Sequence, residues 1–450
     1  MAFAVVIVLL VVGTVAFHFL SPWWFTPIAS NWQTVDQTVN LTFWVTGTVF
    51  VVVNLFLAYC VWRYRHRKGN TAHYEPENKK LEWWLTGVTA VGIVAMLAPG
   101  LVVWAKFVTP PSTATDVEVL GQQWNWSYRL PGKDGVLGKV DTRLVSASNP
   151  FGIDPNDPKG QDDILIANPE LHLPLEKEIR MKLRSIDVSH QFAVPEFRVK
   201  MDVVPGMITS FWFKTTRTGS FDALCEQLCG IAHFAMRGRV VVESESDYQT
   251  WLSRQLTFAQ TNAEVAGDPV AGHAQFAVCA ACHGDQAQGN RDLNAPKLSG
   301  QAQWYLIRQL KAFKHGVRGG ADSQNTFAQQ MAPMAQTLPD DTAIKNVVAY
   351  IASLPEVRPA TTVTGNPDKG KAIYAGCTSC HGASGQGIWA TNAPRLSNMS
   401  DWYLKRQLHN FKQDLRGVHR EDFYGSQMRS MAKPLHDDAI DNVVDYLHNL

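Results

Sequence analysis

The sequence is short of net charge, of scattered cysteines and, after its first stretch, of long apolar runs. Its 450 residues set 41 lysines and arginines against 40 aspartates and glutamates, a formal charge of +1. The basic footprint of a nucleic-acid binder is therefore missing, and no polyanionic partner is implied. Cysteine occurs seven times, too few and too clustered for a disulfide framework spread along the chain. Six cysteines form close pairs, Cys225 with Cys229, Cys279 with Cys282 and Cys377 with Cys380, and close pairing suits cofactor ligation. Cys60 stands apart in an apolar stretch and reads as a buried, inert thiol. A chain of 450 residues exceeds what one hydrophobic core serves, so several domains are expected.

The apolar runs that do occur fill the segment 1–110, which reads as a transmembrane region. Runs of about 20 residues can cross a bilayer, and spans are expected at about 2–20, 41–62 and 83–107. Trp23, Trp24 and Phe25 follow the first span and suit the headgroup level. Arg63, Arg65, His66, Arg67, Lys68, Lys79 and Lys80 lie between the second and third. By the positive-inside rule that loop is cytoplasmic, which places all that follows on the periplasmic side of a bacterial inner membrane. The first segment lacks the basic start of a cleaved signal peptide and has only a weak small-residue site near Ala29 and Ser30, so it reads as a retained anchor.

From 116 to 250 the pattern changes to short alternating runs, such as Val117 to Leu120, Ile179 to Leu183 and Ile208 to Phe213, broken by glycine and proline. That is the signature of an all-β sandwich or barrel, with Ser146 to Asp163 as a long surface loop. A linker at Ala259 to Gly272 opens a segment that repeats at a spacing of 98 residues: Cys279 recurs as Cys377, Pro296 as Pro394 and Trp304 as Trp402. Each copy closes on a helical pattern, Ala343 to Leu354 and Ala439 to Leu450. Duplication of a small helical domain, over 265–356 and 363–450, explains this.

The stretch Cys225 to Met236 packs two thiols, the imidazole of His233 and a thioether into one loop, and His190 offers a second imidazole at the end of a candidate strand. Soft sulfur with imidazole suits copper. A disulfide between Cys225 and Cys229 is the competing reading in an oxidising compartment, but it leaves His190, His233 and Met236 without a role. In both motifs, their order and their separation, the chain resembles subunit II of the haem-copper (cytochrome c) oxidases, whose cupredoxin-like domain carries a dinuclear copper centre, CuA. The resemblance implies that Cys225 and Cys229 bridge two coppers, that His190 and His233 bind one each, that Met236 is a weak axial ligand and that Gln227 offers its backbone carbonyl. The family usually has Glu where Gln227 stands, and that carboxylate helps hold magnesium at the junction with subunit I. A neutral amide is a poorer magnesium ligand. Copper is expected, and magnesium is left open.

Two further segments share the resemblance. Gly121 to Tyr128 looks like the family's aromatic strand, in which Trp124 would mediate electron input from a donor; alternate strand residues buried in a core are the other reading of Trp124 and Trp126. Leu81 to Thr86 resembles the family's start of its last membrane helix, where Glu82 would lie near a proton-uptake channel, although a solvated carboxylate at a helix start explains it equally.

Cys279-Ala280-Ala281-Cys282-His283 and Cys377-Thr378-Ser379-Cys380-His381 both fit C-x-x-C-H, in which two thiols bind a haem covalently and the histidine becomes an iron ligand. Methionine is the usual second ligand, available as Met331 or Met334 and as Met428 or Met431. The c-type cytochromes that the repeats resemble place it about seven residues before the apolar residue opening the last helix, which selects Met331 and Met428. Pro296 and Pro394 resemble the family proline whose carbonyl accepts the histidine's other N–H.

The expected protein is multidomain: transmembrane helices, an all-β cupredoxin-like sandwich and two all-α cytochrome c domains, as in a caa-type oxidase with a dihaem subunit II. Its cofactors would be dinuclear copper and two haems c, and its partners the membrane, oxidase subunit I with the other oxidase subunits, and a cytochrome donor. The chain lacks the multi-histidine membrane helices that an oxygen-reducing site needs, so that site belongs to subunit I. A copper subunit of a nitric oxide reductase is the alternative, and a copper-delivery or thiol-disulfide protein the third reading.

Overall fold

Backbone polar groups inside a bilayer must be satisfied within their own segment, which makes a helix the outcome for each apolar run. The computed structural model describes every residue except 1, 22–25, 70, 72, 73, 75, 147, 148, 167 and 263–266, together with the side chains of 262 and 390. Trp23, Trp24 and Phe25 fall outside the described residues. Helices α1 (Ala2–Leu20), α2 (Gln33–Arg63) and α3 (Lys79–Val108) are long and apolar enough to cross a membrane and bury little of their surface in the chain itself. Helix α2 starts at Gln33 and not near Leu41 because its first residues are polar and invisible to hydropathy. They are held instead by the globular part, where Arg198 Nε donates to Asp36 Oδ1 at 2.7 Å.

The next domain is a sandwich of two five-stranded sheets. Its strands are β1 (Thr115–Gln122), β2 (Asn125–Leu130), β3 (Ile164–Ile166), β4 (Glu170–Pro174), β5 (Glu178–Ser185), β6 (His190–Val194), β7 (Val199–Val203), β8 (Thr209–Lys214), β9 (Gly219–Cys225) and β10 (Arg237–Glu243). One sheet runs β3-β2-β1-β5-β8 and the other β4-β10-β9-β6-β7. Trp126, Tyr128, Phe192, Phe211 and Phe213 fill the space between them. A buried ion network ties the first sheet: Arg129 Nη1 lies 2.7 Å from Asp163 Oδ2, and Glu118 receives Arg129 and, at 2.7 Å, Arg184 Nε. The sandwich is fastened to the membrane helices at β8, where Trp212 Nε1 donates to Lys106 O at 2.7 Å and Phe107 stacks on Phe211.

Two sequence expectations shift here. The stretch Gly121 to Tyr128 is a hairpin and not one strand, because Gln122 pairs with Asn125 and puts Gln123 and Trp124 in the turn. His190 opens β6 and does not end a strand, since β5 stops at Ser185.

After α4 (Glu245–Leu252) and α5 (Phe258–Asn262), helix α6 (Pro269–His283) begins inside the expected linker. Asp268 caps it by accepting from Val270 N at 2.8 Å, and Pro269 takes the first helical position, where an N–H is not needed. Then come α7 (Gln303–Lys314), α8 (Thr326–Gln336), α9 (Asp341–Ser353), α10 (Pro367–Tyr374), α11 (Thr378–His381), α12 (Asp401–Lys412), α13 (Phe423–Ala432) and α14 (Asp437–His448). The first and last helices of each copy, α6 with α9 and α10 with α14, cross closely. A Cβ on Gly272 or Gly370 would stand 2.0 Å from the carbonyl oxygen of Asn346 or Asn442, so glycine is needed at both crossings.

The two copies face each other through reciprocal contacts. Arg318 Nη2 donates to Tyr403 Oη at 3.1 Å and Gln407 Oε1 at 3.2 Å, and its counterpart Arg416 Nη2 donates to Tyr305 Oη at 3.0 Å and Gln309 Oε1 at 3.2 Å. Arg308 lies over Tyr424 as Arg406 lies over Phe327. Each surface thus meets its own repeat, the arrangement of a two-fold dimer built within one chain.

Candidate copper and haem sites

Pairing of Phe192 with Cys225 sets β6 beside the end of β9 and brings His190 against the loop that follows Cys225. His190 Nδ1 lies 3.9 Å from Cys225 Sγ, and His233 Nδ1 lies 3.4 Å from Cys229 Sγ. The two sulfurs are 3.7 Å apart, far beyond a disulfide bond of about 2.05 Å. Met236 Sδ stands 3.8 Å from Cys229 Sγ, and the Gln227 carbonyl oxygen 3.2 Å from Cys225 Sγ. The copper ligands anticipated from the sequence therefore lie in one cluster, with His190, Cys225, Cys229 and Met236 buried, His233 half-buried and Gln227 exposed. His190 Nε2 is bonded to Asp187 Oδ1 at 2.9 Å, which fixes the ring and leaves Nδ1 facing the sulfurs. The two thiols act on each other: contact with Cys229 pulls the Cys225 thiol down, and the same contact pushes Cys229 up. A bound cation would relieve that coupling, so the donor set fits a soft metal.

The loop keeps its shape because Gly230 has φ +120° and a Cβ there would lie 2.9 Å from Gln123 Nε2 and Trp124 Cζ2. Gln123 Nε2 and Trp124 Nε1 both donate to Cys229 O, at 2.8 and 3.2 Å. Glu226 turns away, 2.9 Å from Lys200 Nζ.

In the first copy the C-x-x-C-H motif ends α6, in the second it forms the short α11 with Cys377 at its N-cap, and in both the histidine is buried. His283 Nδ1 lies 2.8 Å from Pro296 O, and His381 Nδ1 lies 2.9 Å from Pro394 O. A carbonyl can only accept, so Nδ1 carries the proton and Nε2 is free for iron. Burial pushes both imidazoles down toward the neutral form that ligation requires. Met331 packs beside Phe313, Ala328 and Ala332, whereas Met334 is exposed. Asn78 caps α3 by accepting from Leu81 N at 3.1 Å, and Glu82 Oε1 in the first turn accepts from Asn78 N at 3.4 Å.

One contact was not anticipated from sequence. The second helical copy sits on the copper loop: Gln427 Nε2 donates to Trp124 O at 2.7 Å, a Cβ on Gly376 would touch Ile231 Cδ1 at 3.5 Å, and Cys380 and Met431 pack against the sandwich core. Tyr424 lies within hydrogen-bonding reach of Asn125, and Arg239 stacks on Phe423. Trp124 is only 4% exposed as a result.

Residues 115–245 match the family described as the periplasmic domain of cytochrome c oxidase subunit II, and residues 269–355 and 367–450 match cytochrome c. The alternative cytochrome c oxidase subunit 2 of Bradyrhizobium diazoefficiens is 60% identical over 259 residues, 58% of this chain and 94% of the relative. Cytochrome c4 of Azotobacter vinelandii is 30% identical over 201 residues, 42% of this chain and 91% of its own. Reduced recombinant cytochrome c4 from Pseudomonas stutzeri is a similar solved structure, 27% identical, covering 41% of this chain and 100% of its own with a TM-score of 0.34.

Proposed function

Since the chain belongs to the cytochrome c oxidase subunit II family and adds two cytochrome c domains, we propose that it is the electron-input subunit of a respiratory terminal oxidase. In this reading electrons pass from a cytochrome donor through both haem domains and the copper domain to the haem of subunit I, which reduces oxygen to water with coupled proton translocation. The three apolar helices anchor the subunit in the membrane. Dinuclear copper and haem c supply one-electron carriers when bound. His190, His233, Cys225, Cys229, Met236 and the Gln227 carbonyl would hold the copper. Cys279, Cys282, His283 and Met331 would hold one haem, and Cys377, Cys380, His381 and Met428 the other. Packing of Met431 on the copper domain supports Met428 as the haem ligand, with Met331 as its equivalent in the first copy.

The contact of Gly376 and Cys380 with the copper domain carries the reading. It supports an order in which the second haem domain hands electrons to copper and the first receives them from outside. Trp124 then takes its electron from the attached domain. Burial of the turn beneath Gln427 excludes water and fixes the approach of the two sites. The His190→Asn variant of the full chain should lose the two-copper hyperfine pattern in electron paramagnetic resonance and keep its haem absorption. Persistence of that pattern would overturn the ligand set.

A further inference from the structure

The two-fold relation between the helical copies gives the first copy a face equivalent to the one that the second copy presses on the copper domain. Gly376, Cys380, Thr391, Tyr424, Gln427 and Met431 correspond to Val278, Cys282, Leu293, Phe327, Gln330 and Met334. In the second copy this face is spent on the copper loop, through Gln427 to Trp124 and through Gly376, Cys380 and Met431. In the first copy the same positions lie open. Val278 and Leu293 are each 52% exposed, Phe327 is 42% and Met334 is 40%, and Cys282 and Gln330 are exposed as well. Large apolar side chains gathered in this way mark an interaction site.

On the side of Phe327 the border of the face is cationic. Beside Phe327 runs a cleft of about 630 Å³ whose lining includes Arg291, Lys405, Arg406 and His409. Asp441 is its one acidic group, and that carboxylate is already paired with Lys405 Nζ at 2.5 Å. Arg406 lies over the Phe327 ring at 4.8 Å, so the cationic border and the apolar centre are continuous.

We propose that Val278, Leu293, Phe327, Gln330 and Met334 form the docking face for the external electron donor, a small redox protein with an apolar patch over its cofactor edge and carboxylates around it. This rests on the electron order given above. The face opens beside Cys282, the counterpart of the cysteine that faces copper, so an incoming electron arrives at the same side of the haem domain from which its twin passes one on. No bond is made or broken: the donor's reduced centre loses one electron and the ferric haem of the first domain gains it. Carboxylates on the donor would approach Arg291 and Arg406, which steers encounter and makes it dependent on salt.

The test uses the full, haem-loaded chain and a redox-inert probe, zinc-substituted soluble cytochrome c, in its native basic form and with its lysines succinylated. Binding is read from zinc-porphyrin fluorescence. The succinylated probe should bind more tightly at low salt and lose affinity as salt rises. Phe327→Ala and Val278→Glu should each weaken it by about tenfold, the size of effect found at the centre of protein interfaces. Val278 is exposed, so its substitution tests the face without disturbing a core. Tighter binding of the basic probe, or unchanged affinity in both variants, would overturn the proposal. The electron order is read separately, by flash reduction of the haems and the rate of copper reduction. If that rate shows no dependence on Gln427, the order fails whatever the probe does.

Discussion

His172 shows how a single side chain outside the redox centres couples stability to pH. It stacks on Trp251 of α4, and its ring nitrogens lie 2.9 Å from Glu243 and 3.2 Å from Glu170. Burial would depress its pKa, but the bonds to the two carboxylates outweigh burial and the net shift is upward. A folded-state value above the unfolded value of about 6.5 means that the stabilisation is complete below about pH 6.5 and is lost as pH rises through the folded value. Thermal unfolding of the unsubstituted chain should therefore show a falling midpoint as pH climbs from about 6.5. His172→Gln should flatten that dependence on the alkaline side. The buried Glu118, Arg129, Asp163 and Arg184 group behaves differently, since each charge there has a partner and removing one would strand another.

At the scale of elements, the copper loop between β9 and β10 depends on one backbone conformation. Gly230→Ala places a methyl group against Gln123 and Trp124 at a positive φ, where a side chain is strained in any case. The variant should fold as a sandwich, lose most of its bound copper by metal analysis and keep both haems. Retention of full copper would show that the loop can move aside. His190, 35 residues upstream of Cys225, came from the family resemblance and is brought to the other ligands by strand pairing, whereas the grouping of Cys225, Cys229, His233 and Met236 was legible in the sequence because all four fall in one short loop. The same holds for the two C-x-x-C-H motifs and for the prolines that receive the histidine N–H groups. What the sequence hid was set by pairing. Trp124 and Trp126 alternate as strand residues do, yet the Gln122 to Asn125 pair turns the chain between them. The start of α2 was hidden for a related reason, since Asp36 is polar and its place is fixed by Arg198, far along the chain.

At the scale of the whole molecule, the seat of the second haem domain had no sequence signal, since glutamine, isoleucine and glycine obey no ligand spacing. Gln427, Ile231 and Gly376 matter only because the domains meet there. Gln427→Ala should leave copper and haem content unchanged and slow copper reduction after flash reduction of the haems by about 10- to 100-fold, as small misplacements of reacting partners do. An unaltered rate would overturn the electron order from the second cytochrome c domain to copper. The repeat was plain from sequence, but its reciprocal bonds were not, because each arginine finds its tyrosine and glutamine in the other copy.

Those reciprocal bonds have a consequence for assembly. Arg318 and Arg416 join the copies alongside bonds from Arg308 to Asn392 and between Gln301 and Arg395. A short tether between the copies raises the effective concentration of one for the other to the millimolar range, so contacts of modest affinity suffice to keep the pair closed. Closure also engages Arg318, Tyr403 and Gln407 with one another as it does Arg416, Tyr305 and Gln309, so both halves of the self-complementary surface meet within one chain. The two cytochrome c domains are in this way carried by one peptide chain and remain paired however dilute the membrane that holds them.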